Sequence, residues 1–558
     1  MRRALLALFL IVPAGAHGRS KSYIPTPDLL IVNANVVTLD PAHPHATTLL
    51  IDAGRILAVG SAAVASHSSA IPLETIDLHG ATVLPGFVDA HIHLASLGAA
   101  LDALDLSGAK DAGELVARVA ERVKSSKPGA WVEGEGWNQN NWPGGAFPTR
   151  DGLDRVAPEN PVVLDRVDGH AIFVNAKALA LAGIDAKTPD PKGGRILRDT
   201  HGVATGVLLD DASDLVFAKM PPASPDEIVA NTLRGQAWCL SHGLTGVHDA
   251  GVGRKKLDAL LALEKDGRLT MRVYAMLASG DVKLLDEWLA KGPKTSGLVT
   301  VRSIKISADG ALGSRGASLL ADYSDDPGNR GVVTASEPVV ETIATRAFAK
   351  KWQVCVHAIG DRANREVLDA FEHALAKTKT RAADVRPRLE HAQVVSPEDL
   401  PRFAKLGVIA SMQPWHVVGD MPWAEARVGS DRILGAYAWR TILDSGARLA
   451  AGSDAPFGGI SGPLQGIHAA ITRQDDAGNP ASGWHPEQRM TRDEAIHAFT
   501  TGAAWAAFEE RSGGVLAEGN RADLVVLSAD PTAVADDRLL SIRILRTLVA
   551  GRTVFEQK

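Results

Sequence analysis

The 558 residues, 45% hydrophobic and 22% charged, make a chain long enough for a large buried core and exclude a disordered or collagen-like one. A formal charge of -6, spread without long runs, excludes an extended nucleic-acid-binding surface. The two cysteines, Cys239 and Cys355, exclude a disulfide framework.

At the N-terminus, Arg2 and Arg3 precede an apolar stretch from Ala4 to Val12, then Pro13 and Ala14-Gly15-Ala16. That order of charge, apolar run and small residues predicts a secretory signal over residues 1–16 and export to the periplasm or medium. The run is well short of the roughly 20 apolar residues that a membrane-spanning helix needs, so no stable span is expected. Residues 28–39 and 49–60 read as short strands separated by turn residues, and residues 522–527 and 546–555 match them in character. Both ends are therefore expected to build one composite β-sandwich from 27–82 and 513–558.

Between these segments, residues 83–512 alternate short apolar runs with helical stretches, the pattern of βα units around a parallel sheet. The fold class is α/β, a distorted (β/α)8 TIM barrel. Candidate strands are 87–91, 162–166, 246–249, 271–275, 301–306, 354–357, 388–391, 408–412 and 448–452, one more than the roughly eight of a closed barrel. The surplus run, 162–166, falls in a long stretch before Gly246, so residues 100–225 are expected to form an insertion capping the barrel mouth. Within it, Gly134-Glu135-Gly136-Trp137-Asn138-Gln139-Asn140-Asn141-Trp142-Pro143 reads as a loop.

Several of the barrel runs end in polar residues: His91, His93, Lys305, His357, His391 and Asp454. His91 and His93 are two apart, so on a strand they project to the same side. In a parallel barrel, active residues gather at the C-terminal strand ends, and imidazoles with a carboxylate suit a borderline cation such as zinc better than magnesium or calcium. A lysine at a strand end also has structural uses, pairing with Asp309 or lying along apolar surface.

Leu84-Pro85-Gly86-Phe87-Val88-Asp89-Ala90-His91-Ile92-His93, the run from Gly243 to Gly251, Lys305-Ile306-Ser307-Ala308-Asp309-Gly310, His357-Ala358-Ile359-Gly360-Asp361, Glu390-His391-Ala392-Gln393, Gln413-Pro414 and Gly452-Ser453-Asp454-Ala455-Pro456 occur in that order. In this order the chain resembles the amidohydrolase superfamily, and within it amidohydrolase family 3 with its N-substituted formamide deformylase-like members. The resemblance covers nearly all of the chain after the signal. It implies one or two divalent metals, with two zinc ions as the expected pair. His91, His93 and Asp454 would hold the more buried metal, His357 and His391 the second, and Lys305 would bridge them as a carbamate formed with carbon dioxide.

Two cations about 3.5–4 Å apart make a shared water a hydroxide near neutral pH, and one of them polarises the scissile carbonyl. Asp454 is then the expected catalytic proton shuttle, taking the proton from the attacking water and returning it to the leaving nitrogen. The expected reaction is hydrolysis of an amide, N-formyl or N-acyl bond in a small molecule. Ester, lactone or cyclic-amide hydrolysis on the same site, and a non-catalytic ligand-binding relative, stay open. A homodimer is also allowed.

Around this set, His170, Trp137, Arg315, Gln413 and Trp415 are candidate substrate contacts. Trp142 and His416 are candidates for an apolar wall, and Arg315 for a carboxylate clamp. His248 and Asp249 are expected to support the rim rather than to bind metal.

Overall fold

The computed structural model describes residues 27–67 and 72–558. The expected signal, residues 1–16, lies outside the described residues. Among those described, no helix is long and apolar enough to cross a membrane.

Eight parallel strands lie side by side in chain order: β1 (Phe87–Ile92), β2 (Leu244–Val252), β3 (Arg272–Ala278), β4 (Val299–Ser307), β5 (Gln353–Ala358), β6 (Arg388–His391), β7 (Ile409–Met412) and β8 (Leu449–Ala451). The ring nearly closes where the chain just past β8 meets β1, Asp454 N donating to His91 O at 2.7 Å. β5 and β6 are buried along their whole lengths. Strands covered on both faces need near-continuous apolar runs, which is why these stretches are legible as strands without alternation.

The terminal segments form two small sheets. In one, Arg55–Val59, Leu49–Asp52, Leu29–Val32 and Glu74–Asp77 lie in that order. In the other, the order is Arg552–Glu556, Ile544–Val549, Leu524–Leu527, Thr82–Pro85, Asn35–Val37 and His45–Ala46. Thr82–Pro85 pairs antiparallel with Leu524–Leu527, so the two ends of the chain share one sheet. Leu29, Ile31, Val36, Ile51, Leu524 and Leu548 fill the core between the layers.

The insertion leaves the barrel after α1 (Leu94–Ala100) and returns through α2 (Pro225–Ser241). α2 starts on a capping box, in which Ser224 and Glu227 satisfy each other's backbone N–H groups, with Pro225 at the first helical position. The two helices pack backbone to backbone. A Cβ on Gly98 would sit 1.8 Å from Asn231 O, so only glycine permits this approach.

Between α1 and α2 stands a six-stranded mixed sheet ordered Gly194–Arg198, Ala204–Asp210, Ala171–Val174, Val162–Arg166, Val132–Trp137 and Leu104–Asp105. Alternate residues feed two separate cores: Leu164, Phe173 and Leu209 on one face, Val163, Ile172 and Leu208 on the other. The expected surplus strand 162–166 belongs to this sheet. One expectation is corrected: residues 134–137 of the glycine-rich run lie in the strand Val132–Trp137, not in a loop. A bulge at Gly136, φ 91°, reconciles glycine with pairing, because the register shifts between Glu135 and Trp137 while the strand stays hydrogen-bonded to Val162–Arg166.

Candidate metal centre at the barrel mouth

Six side chains from five strand ends meet over the barrel. Asp454 Oδ1 lies 3.3 Å from His91 Nε2 and 3.2 Å from His93 Nε2, and Lys305 Nζ lies 3.2 Å from His91 Nε2. The His391 ring is 4.9 Å from that of His91 and 4.5 Å from that of His357. Strand parity alone does not produce this. Arg388 and Glu390 of β6 point into the barrel, so His391 should face the helices. A left-handed backbone at His391, φ 72°, and Ala392, φ 44°, turns the imidazole toward the mouth instead. Asp454 takes the same conformation, φ 63°, just beyond β8.

Hydrogen bonds beneath the rim set the tautomers. His91 Nδ1 donates to Glu390 Oε2 at 2.6 Å, and His391 Nδ1 donates to Gln413 Oε1 at 2.7 Å, Gln413 using its amide nitrogen on Ser411 O. Each bond leaves Nε2 unprotonated, with a lone pair free to ligate. Glu390 is itself held by Arg388, whose Nε lies 2.9 Å from Oε1, and Arg388 also donates to Ala90 O and Ser411 Oγ and meets His248 Nδ1 at 2.9 Å.

Burial, with Lys305 adding to it, pushes His91 down to about 4, which keeps it neutral and able to ligate. Burial works against ionised Asp454, but His91, His93 and His391 outweigh it and hold the carboxyl well below its ordinary range. Burial lowers Lys305 as well.

Two compact groups of possible ligand atoms share Asp454: His91, His93 and Asp454, and His391, His416 and Asp454, each with its atoms within 4.8 Å of one another. His416, expected in an apolar wall, thus faces the centre, its Nε2 3.8 Å from Asp454 Oδ2. His357 lies on the cavity wall, with Nε2 buried and lacking a hydrogen bond, 3.4 Å from Asp309 Oδ1. Asp454 Oδ1 and His416 Nε2 are also buried without hydrogen bonds. Unsatisfied buried nitrogen and carboxylate atoms converging on one point fit a divalent cation of the zinc type.

Above the centre is a cavity of about 60 Å³ lined by His357, His416 and Asp454 from the barrel and by Asn138, Arg166, Asp168 and His170 from the cap. His170 Nδ1 is 2.8 Å from Asp210 Oδ1. Burial lowers this imidazole, but Asp210 and Asp168 outweigh it and its pKa is raised.

Several expected substrate contacts lie elsewhere. Trp137 is fully buried in the cap's own core, its indole N–H donating to Leu164 O at 2.8 Å. Trp142 packs beside it and donates to Ala109 O. Arg315 forms a two-bond pair with Asp325 and does not line the cavity, so the carboxylate clamp is corrected to a structural ion pair. Gln413 holds His391, and Trp415 stands outside the lining, beside Gly459. Cys239 and Cys355 are buried free thiols.

The sequence reading missed the roles of Arg388 and Glu390, although two charges spaced i, i+2 in a buried strand were a signal. It also missed Asp420, one helical turn beyond His416. Nothing local pointed to Asp210.

The sequence model of the amidohydrolase family matches residues 74–555. The chain is 35% identical to the putative amidohydrolase YtcJ of Bacillus subtilis over 498 residues, 87% of this chain and 91% of the relative. It is 32% identical to the N-substituted formamide deformylase of Arthrobacter pascens over 550 residues, 95% and 98% of the two chains. An uncharacterised metal-dependent hydrolase from Pyrococcus horikoshii superposes with a TM-score of 0.73 at 27% identity, over 91% of this chain and 99% of that one. The chain is thus a metal-dependent hydrolase and belongs to the amidohydrolase family.

Proposed function

We propose that the protein is an exported amidohydrolase that cleaves the C–N bond of a small amide, N-formyl or N-acyl amine. The observation that carries this reading is the convergence of His91, His93, His391 and Asp454 on one point, with buried ligand atoms left unpartnered. The similarity to a formamide deformylase supports the choice of bond. The charge, apolar and small-residue order of residues 1–16 supports export.

His91, His93 and Asp454 would hold one cation, and His391 with His357 or His416 a second. A divalent ion bound there supplies a polarised carbonyl and a water acidified to near neutrality. Burial disfavours the charged form of Lys305; in its neutral form the amine would add to the carbon of carbon dioxide and shed a proton, giving an anionic carbamate able to join the ligand set. Asp454, ionised, receives the proton released as water attacks the carbonyl carbon. It then delivers that proton to the nitrogen as the C–N bond breaks, so the amine leaves neutral.

The test is elemental analysis of the purified protein followed by turnover of N-formyl amines in ¹⁸O-labelled water. At least one bound divalent ion per chain and label in the carboxylate product are expected. A metal-binding protein that hydrolyses only esters would overturn the amide assignment.

A further inference from the structure

The charged groups lining the cavity differ in what each has left to offer a substrate. Arg166 spends three of its five N–H groups inside the cap: Nη1 donates to Asp168 Oδ2 at 2.5 Å, Nε to Gln139 Oε1 at 2.8 Å and Nη2 to Asn138 Oδ1 at 2.9 Å, so its charge is already paired with Asp168. His170 is tied to Asp210 and packs on His357. Among the described residues, Arg166 is the one arginine or lysine lining the cavity, and Asp168 already neutralises it.

Asp420 is different. Its Oδ2 accepts the Tyr437 hydroxyl at 2.6 Å and Gln393 Nε2 at 2.9 Å, and Gln393 Nε2 also reaches Tyr437 Oη at 2.7 Å. Tyr437 is buried, and its backbone N–H returns to Gln393 O, so the clamp anchors Oδ2. Oδ1 has no protein donor, and Asp420 lines the cavity with the apolar side chains of Leu312, Ile359 and Trp423. A fixed anionic acceptor beside apolar walls matches an alkyl chain ending in a cation, which forms the stronger, charge-assisted class of hydrogen bond. A second carboxylate in the same small space would face like-charge repulsion and desolvation.

Resting on the reading of the site as one that hydrolyses a C–N bond, we infer that Asp420 selects substrates whose nitrogen substituent ends in a protonated amine and disfavours those ending in a carboxylate.

The experiment compares three N-formyl compounds of matched length at pH 8, where Asp420, which burial pushes up to about 6, is ionised. These are N-formyl-1,3-diaminopropane, N-formylbutylamine and N-formyl-β-alanine. The full chain is used, loaded with zinc. Expected is a kcat/KM for the ammonium compound about tenfold above the neutral one, carried by KM, with the carboxylate compound lowest. In Asp420→Asn the ammonium-to-neutral ratio falls to about one. Equal kcat/KM for all three, a preference for the carboxylate, or a ratio unchanged in the variant would overturn the inference.

Calorimetric titration with 1,3-diaminopropane gives a readout independent of turnover, with binding expected in the wild type and at least about tenfold weaker in the variant. If none of the three compounds is hydrolysed, the amide reading fails while the titration still decides on Asp420. Loss of diamine binding in the variant then supports it, and equal binding overturns it.

Discussion

Two layers of buried polar groups lie within a few ångströms of each other in the barrel, and they are satisfied in opposite ways. In the interior, Arg388 donates to Glu390 Oε2 at 3.1 Å, and it also engages His248, Ser411 and the backbone of Ala90. At the rim, His357 Nε2, His416 Nε2 and Asp454 Oδ1 are buried with no hydrogen bond. An unpaired buried polar atom costs roughly 1–3 kcal/mol, so the rim is maintained against stability while the layer below is partnered. The difference separates two tasks: the inner ions orient, and the outer atoms wait for something that binds them.

The largest expected effect tests the outer layer. Asp454→Asn keeps the side-chain shape but cannot carry the proton, and kcat should fall about 10³-fold while circular dichroism stays unchanged. A loss below about tenfold would remove the proton-transfer role.

Glu390→Gln tests the inner layer. It leaves Arg388 buried without its counter-ion, which should cost about 3 kcal/mol in urea unfolding, and it frees the His91 tautomer, weakening zinc about 10–100-fold in a chelator competition. A pH series sharpens this. Burial raises the Glu390 carboxyl, but Arg388 and His91 outweigh it and hold the pKa below its ordinary 4.5. Stability from this group is therefore fully present above about 4.5 and lost as pH falls through the folded-state value. Urea midpoints between pH 7 and pH 3 should drop more steeply in the wild type than in Glu390→Gln.

The smallest effects lie in the cap. Trp137→Phe deletes one buried hydrogen bond and should cost about 1 kcal/mol with kcat/KM unchanged. A tenfold rise in KM would return Trp137 to the substrate wall.

Barrel strands and ligand types were legible because strands covered on both faces are apolar up to the residue that reaches the mouth, as Val354-Cys355-Val356-His357 shows. The orientation of His391 was not, since it depends on a left-handed backbone that side-chain alternation does not encode. Trp137 misled because its run is rich in Gly and Asn, yet one bulge lets the strand continue, and its indole finds a partner 27 residues away. Asp420 and Asp210 escaped for a related reason. Each acquires its role from partners in other elements, Tyr437 and Gln393 for the first and His170 for the second.

The glycine contact between α1 and α2 has a practical consequence. Because the outgoing and returning helices touch, the 124 residues from 101 to 224 hang from a single stem, with apolar centres of their own. A cut across that stem removes the cap's share of the cavity wall and leaves the chemistry, with Asp420, in the barrel. Asn138, Arg166, Asp168 and His170 would travel with the excised piece, while the histidines and aspartate that gather at the mouth would stay behind, so roofs from related enzymes are natural grafts for retuning what this barrel accepts.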